Sequence, residues 1–337
     1  MEHGHEGTAG APAEGAGRPA RRPAGRLRRG LLSALVAAAV AVPLAGATRP
    51  QVPAPAPTEL PPPTAVTLDA AYAAHRADAA EAARIADRHG YGDRATAERA
   101  LSTRQLLAFD GRGAGLVTEV LGDLAHAGRV AVLVPGSDTG IDTYDRFRAT
   151  ALALHGRLAR EAPAGVRTAV VAWLGYETPG TLSPSVTTTG RAEDAAPQLR
   201  DVVDGLRAVA GPRARLSLLC HSYGSVVCAR AASGLDIDDL VFLGSPGTGA
   251  GTAADLRTRA RVWAARGAGD WVEHVPHIDA ELFGTTVGFG TDPVSREFGA
   301  RVFAAGDGGH SDYFAPGSPS LANLTRIVLG DTRAVTS

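Results

Sequence analysis

Lysine is absent from this chain: all 34 of its basic residues are arginine. With abundant alanine, glycine and proline, this is the codon bias of a GC-rich genome, and it marks no recognition surface. Net charge is nearly absent too. At −1 over 337 residues, no global field favours nucleic acid or a membrane surface. Cysteine is scarce. The two present, Cys220 and Cys228, form no Cys-x-x-Cys pair, so no metal or redox motif follows. A bridge between them would need a strand end and a later helical turn to meet, so two packed thiols are expected. Long apolar runs are missing except for one, at residues 31–47. That run is alanine-rich and broken by Pro43, which is weak for a permanent span of about 20 apolar residues.

What surrounds that run gives it a meaning. Residues 1–25 are Gly-, Ala- and Pro-rich without apolar period, and read as disordered. Arg26, Arg28 and Arg29 then flank the apolar run, and Ala45-Gly46-Ala47 supplies a small-residue exit. Positive flank, apolar centre and small exit are the parts of a signal peptide. Arg28-Arg29 resembles a twin-arginine export signal. Residues 1–47 are therefore expected to be a signal segment cleaved after Ala47, with an uncleaved anchor as the alternative. Export places the protein outside the cell or in its envelope, and any membrane contact is a transient one through this segment. Residues 48–64 carry a proline cluster and read as an extended linker.

The length suggests two domains at about 150 residues each, but α/β folds exceed that as one unit. Residues 68–89 and 95–107 read as helices of an N-terminal segment, 65–105, that carries no chemistry. Residues 106–110 and 115–121 read as a hairpin. Residues 130–134, Val-Ala-Val-Leu-Val, are a continuous apolar run of the kind found in a central strand buried on both faces. A helix is expected over 141–158, a strand over 168–173, and a long loop over 175–194. Loops longer than about 12–15 residues in a compact domain are commonly functional, so this one is a candidate gate. A helix over 195–209, strands over 216–220, 239–244, 261–265 and 301–304, and a helix over 321–329 complete the pattern. Such alternation gives a mostly parallel sheet with helices on both faces, here over residues 106–330.

In such sheets the chemistry sits at the carboxyl ends of the strands. Residues 216–220 end in His221-Ser222-Tyr223-Gly224, followed by a helical run. A strand that turns into a helix through a serine is a nucleophile elbow, whose pattern is Gly-x-Ser-x-Gly. Gly224 matches, while Cys220 stands at the first glycine position. Residues 261–265 are followed by Gly267-Ala268-Gly269-Asp270, and 301–304 by Gly306-Asp307-Gly308-Gly309-His310. Three strand ends thus yield Ser222, Asp270 and His310 in the chain order of an α/β-type hydrolase triad.

Here the chain resembles the α/β-hydrolase superfamily. More narrowly, it is similar to an exported-type α/β-hydrolase domain family of unknown function catalogued mainly in high-GC Gram-positive bacteria. The matching pieces are Val134-Pro135-Gly136, Cys220-His221-Ser222-Tyr223-Gly224, Gly244-Ser245-Pro246-Gly247, Gly269-Asp270 and Gly309-His310-Ser311-Asp312-Tyr313. The resemblance implies the fold and a hydrolytic mechanism, but no substrate.

In that mechanism Ser222 is the nucleophile, His310 the base and Asp270 the acid that fixes the imidazole. Backbone N–H groups of Ser137 and Tyr223 form the oxyanion hole. Asp312, Asp292 and Glu273 are rival acids, although Asp312 lies too near His310 in sequence to reach its ring without a sharp bend. His221 is expected to pack rather than act as a base. His274 and His277 have the spacing of one helical face but lack the carboxylates of a zinc protease. Trp173 and Tyr176 read equally as pocket lining or as packing under a loop. A secreted serine hydrolase acting on small-molecule or envelope esters is the leading reading, with no cofactor or metal required. An amidase or peptidase uses the same three residues. A non-catalytic exported binding module is the alternative from another class, and the intact Ser, Asp and His argue against it.

Overall fold

The computed structural model describes residues 52–181, 189–275, 280–282, 285–287 and 289–337. The signal segment expected over 1–47 lies outside them. So do residues 182–188 of the expected gate, and His277.

The chain from residue 52 to 64 has neither helix nor strand, as its prolines dictate, but it is packed against the domain. Val52 is buried, its carbonyl accepts Gly113 N–H at 3.2 Å, and Thr58 bonds the Asp78 carboxylate through both N–H and hydroxyl. Helices α1 (Leu68–Arg88) and α2 (Gly92–Leu101) follow. The second ends before residue 107, the expected limit, because residues 106–110 are taken up by the sheet. Ala79 and Ala82 of α1 join Leu101 and Leu106 in one buried cluster, so these helices share the core of the sheet. Arg94 of α2 reaches into the hairpin turn and donates to the carbonyls of Gly111 and Gly113, with its remaining charge on buried Glu98.

Strands β1 (Leu106–Asp110) and β2 (Leu116–Gly122) form the expected antiparallel hairpin. Next come β3 (Arg129–Val134), α3 (Tyr144–Glu161), β4 (Thr168–Leu174), α4 (Gly190–Ala210) and β5 (Arg215–His221). Then follow α5 (Gly224–Ala231), β6 (Asp239–Leu243), β7 (Arg261–Ala265), a small hairpin of β8 (Ala280–Leu282) and β9 (Thr285–Val287), β10 (Arg301–Val302) and α6 (Pro319–Leu329). The eight-stranded sheet has the order β1-β2-β4-β3-β5-β6-β7-β10. From β4 through β10 every neighbouring pair is parallel, and β2 is antiparallel to both β1 and β4.

The parallel strands are apolar on both faces because helices cover both. All seven residues of β4 and all five of β6 are buried. One face packs on α4 and α5 through Leu199, Val203, Val226 and Val227. The other packs on α3 and α6 through Leu154, Leu158, Leu324 and Ile327. Sequence periodicity found the strands of the eight-stranded sheet and the helices packed on its two faces to within a few residues, but not the hairpin of β8 and β9. Helix α4 begins at Gly190 and not at 195, because its first turn is polar and hides in the loop composition. Among the described residues, no helix is long and apolar enough to cross a membrane.

Candidate active site

The turn after β5 is tight. Ser222 has φ of +54°, a left-handed conformation that a non-glycine residue adopts only where its surroundings enforce it. Ser222 N–H donates to Leu243 O at 2.9 Å, which ties the turn to the end of β6. Gly224 opens α5 against the end of β3. A Cβ there would stand 2.6 Å from Pro135 O, so the second glycine of the elbow is required by close approach.

At the position of the first glycine the structure corrects the sequence reading. Cys220 and Cys228 are not packed thiols; they are bonded to each other, with S–S 2.03 Å and Cα–Cα 6.4 Å. The strand end and the second turn of α5 do meet. The short turn folds the helix back over the strand that precedes it.

His310 and Asp270 are brought together by two glycine-rich loops that touch backbone to backbone. Ala268 N–H donates to Gly306 O at 3.0 Å, and a Cβ on Gly267 would stand 2.1 Å from Gly308 O. Any side chain at 267 would therefore push the loops apart. The result is a chain of hydrogen bonds. The Asp270 carboxylate faces His310 Nδ1 at 2.9 and 3.0 Å, and His310 Nε2 lies 2.9 Å from Ser222 Oγ. A carboxylate only accepts, so Nδ1 carries the proton and Nε2 presents its lone pair to the serine hydroxyl.

Asp270 is buried, and burial alone would raise its carboxyl. Hydrogen bonds from His310, Tyr313 Oη at 2.5 Å and Val272 N–H at 2.9 Å outweigh that and hold it down at about 2. Tyr313 is pushed well above the usual phenol range, by burial first and by Asp270 second. It therefore remains a donor, and its oxygen also accepts Gly267 N–H at 3.1 Å.

The rival acids lie elsewhere. The Asp312 carboxylate accepts Gly309 N–H at 2.8 Å, inside its own turn. Asp292 pairs with Arg266 at 2.5 Å, and Glu273 is exposed on a short 3₁₀ turn. Ser225 is buried and donates to Cys220 O at 3.2 Å.

His221 packs, as expected, but it does more than fill space. Its Nε2–H donates to His310 O at 2.6 Å, and its ring sits 4.6 Å from the His310 ring and 5.7 Å from that of Tyr313. Burial first, and the neighbouring His310 second, lower its imidazole to about 4. It is thus a neutral donor holding the loop of His310. Its place beside the serine was visible in the sequence; its partner, 89 residues on, was not.

Ser222 and His310 open into a cleft of about 680 Å³. Phe147, Val272, Val275, Phe289 and Phe314 give it apolar walls, and Trp271, 53% exposed, stands at 4.7 Å from the His310 ring. Ser137 and Tyr223 line the cleft beside the serine. The loop bearing Ser137 is close: a Cβ on Gly136 would lie 3.1 Å from Ser222 Oγ. That loop is fastened to the start of the long connection after β4. Asp138 N–H donates to Pro179 O at 3.0 Å, and the Asp138 carboxylate accepts from Thr181 N–H and hydroxyl. Trp173 and Tyr176 are buried and stacked at 5.8 Å, with Tyr176 Oη donating to Pro135 O, so they pack under the loop and do not line the cleft.

Comparison with known proteins gives this geometry a lineage. Residues 110–280 match the family described as alpha/beta hydrolase; that span contains Ser222 and Asp270 and stops short of His310. An uncharacterized protein of Mycobacterium tuberculosis (strain H37Rv) is 31% identical over 263 residues, covering 68% of this chain and 39% of that protein. The chain thus spans about two fifths of the length of the curated relatives it matches. Among solved structures, an α/β serine hydrolase without a lid from Xanthomonas campestris shares 20% identity over 65% of this chain and 88% of its own, with a TM-score of 0.39. The esterase PE8 shares 18% over 63% and 97%, with a TM-score of 0.43. With its matched span over half of the sequence and its strand order as described, the chain belongs to the α/β hydrolase family.

Proposed function

We propose that this protein is a serine hydrolase that cleaves carboxylic esters through an acyl-enzyme. The observation that carries the reading is the unbroken line of hydrogen bonds from Asp270 through His310 to Ser222, ending in an apolar cleft. His310 Nε2 takes the hydroxyl proton as Ser222 Oγ bonds to the ester carbon. The carbonyl oxygen becomes an oxyanion, for which the N–H groups of Tyr223 and Ser137 are the candidate donors; one such donor is typically worth about 2.7–4 kcal/mol. The imidazolium formed is stabilised by Asp270, which the surrounding donors keep ionised. It returns the proton to the departing alkoxide, and water then attacks the acyl-enzyme by the same route. The aromatic and aliphatic walls suit an apolar acyl or alcohol group.

The reading includes action outside the cytoplasm. It is supported by the Arg-rich flank, apolar run and small-residue exit at residues 26–47, and by the Cys220–Cys228 bridge, since disulfides persist in oxidising compartments. A fluorophosphonate probe with peptide mapping tests the chemistry: the label should sit on Ser222, and short-chain p-nitrophenyl esters should turn over faster than the matching anilides. Absence of both label and turnover would leave the fold without this activity. N-terminal sequencing of protein from culture medium tests export, with a start at Thr48 expected.

A further inference from the structure

The covalent ring closed by Cys220 and Cys228 runs through the elbow itself. It holds His221, Ser222, Tyr223 and Gly224 between two cysteines that are both fully buried. We propose that this bridge is a positioning device for Ser222 and, through His221, for His310, so that acylation slows without it even in a folded protein. The proposal rests on the reading of Ser222 as nucleophile.

Three observations carry it. The first is where the bridge lies. Ser222 is in a left-handed conformation, and strained residues persist only where the structure around them over-determines them. Position 220 of an elbow takes a small residue because the helix packs there. In this chain that contact is a bond, which fixes the distance from the strand end to the second turn of α5 with Ser222 between them.

The second is its span. The cysteines are 8 residues apart, and a loop so short removes little freedom from the unfolded chain compared with bridges across long loops. Strand and helix are also adjacent in sequence and share the core without it. The bridge is therefore poorly placed to staple the whole fold and well placed to fix local geometry.

The third is His221. It lies inside the same ring and donates to His310 O at 2.6 Å. A shift of the strand end would move both sides of the 2.9 Å contact between Ser222 Oγ and His310 Nε2.

The test uses two double variants of the full chain. Cys220→Ala with Cys228→Val keeps the apolar volume without the bond, and Cys220→Ser with Cys228→Ser gives nearly isosteric replacements. Each is assayed well below its own melting temperature. The readouts are the second-order rate of fluorophosphonate labelling, and kcat and KM on a short-chain p-nitrophenyl ester. Misplacing a reacting group by about 1 Å can cost on the order of 10²-fold. Labelling and kcat should therefore fall together by about 10- to 100-fold, with KM nearly unchanged. A bridge that only stabilises would lower the melting temperature and leave the labelling rate alone; that result overturns the proposal. Failure of both variants to fold overturns it too, by making the bridge a folding staple. So does alkylation of both cysteines in denatured wild type that has never met a reductant. Wild type that takes no label overturns the hydrolase reading first, whereas equal labelling of wild type and variants overturns this proposal alone.

Discussion

Two buried aspartates stand at opposite ends of the same sheet. Asp239 opens β6, and Asp270 follows β7. Both are buried, and both accept from an aromatic side chain: Trp263 Nε1 at 2.9 Å for Asp239, Tyr313 Oη at 2.5 Å for Asp270. Their remaining partners differ. Asp239 receives Arg261 through Nε and Nη2, both at 2.8 Å, and Arg215 Nη2 at 3.0 Å. Its charge is spent on two guanidiniums that never lose their protons. Among the described residues, Asp270 meets no arginine. There it accepts from neutral donors and from an imidazole that can gain a proton. On the proposed mechanism its charge is therefore left over to stabilise the imidazolium that forms. On that mechanism, burial alone does not set the two carboxylates apart; a titratable ring in place of a permanent counter-charge does.

The largest effect expected is that of Ser222→Ala. On the proposed mechanism it lowers kcat by about 10⁶-fold and abolishes labelling, with the melting temperature little changed. Label on Ser137 or Ser225 in the wild type would move the nucleophile and undo the comparison at its root.

The two aspartates should then separate cleanly. Asp270→Asn is expected to lower kcat by about 10⁴-fold with modest loss of stability, because an amide favours the wrong imidazole tautomer. Asp239→Asn should do the reverse. Breaking a buried pair costs about 3–5 kcal/mol, and the lower end applies because both guanidiniums keep contact with solvent. The kcat of the molecules that remain folded should be unchanged. Asp312→Asn is expected to be nearly silent in kcat, since its carboxylate serves a turn. Denaturant melts and kcat on the three variants decide. A 10⁴-fold loss in Asp312→Asn with a silent Asp270→Asn would reverse the assignment of the acid.

The legible parts of this site are the ones set by local pattern. Apolar runs located β3, β5, β6, β7 and β10, and the residues after β5, β7 and β10 put Ser222, Asp270 and His310 in order. The bridge was not legible, because eight residues along a chain do not reveal that the helix doubles back to 6.4 Å between Cα atoms. Tyr313 lay in plain view within the motif around His310 but had no signal of its role. Its partner is 43 residues earlier, and the two meet only because the glycine-rich loops touch. The packing of Trp173 and Tyr176 was equally undecided in sequence, since an aromatic at or just past a strand end faces cleft or core according to where the next loop runs.

Tyr313→Phe sharpens the comparison from the other side. It removes one donor from Asp270 and leaves His310 and Val272 N–H in place. Hydrogen bonds to charged groups are worth about 1.5–3 kcal/mol, so kcat should fall by about 10- to 100-fold, less than in Asp270→Asn. A loss equal to that of Asp270→Asn would mean that the tyrosine, and not the carboxylate, holds the imidazole in place.

The smallest effect is read against pH. The native imidazole of His221 sits at about 4 against an ordinary 6.5, so between these values the unfolded chain binds a proton that the native chain does not. Stability is therefore greatest above 6.5 and falls as the pH drops toward 4. Asp270 continues the trend with the same sign. Its native carboxyl sits at about 2 against 3.8, so a further loss falls between those values as the unfolded carboxylate protonates first. His155, also lowered by burial, adds to the upper window. His221→Gln removes one of the two histidines and keeps an N–H for His310 O, so kcat should change little. The dependence of melting temperature on pH should flatten in the upper window and stay as steep in the lower one. An unchanged upper slope would assign that window to His155 alone and would mean that His221 is solvated enough to titrate as an ordinary histidine.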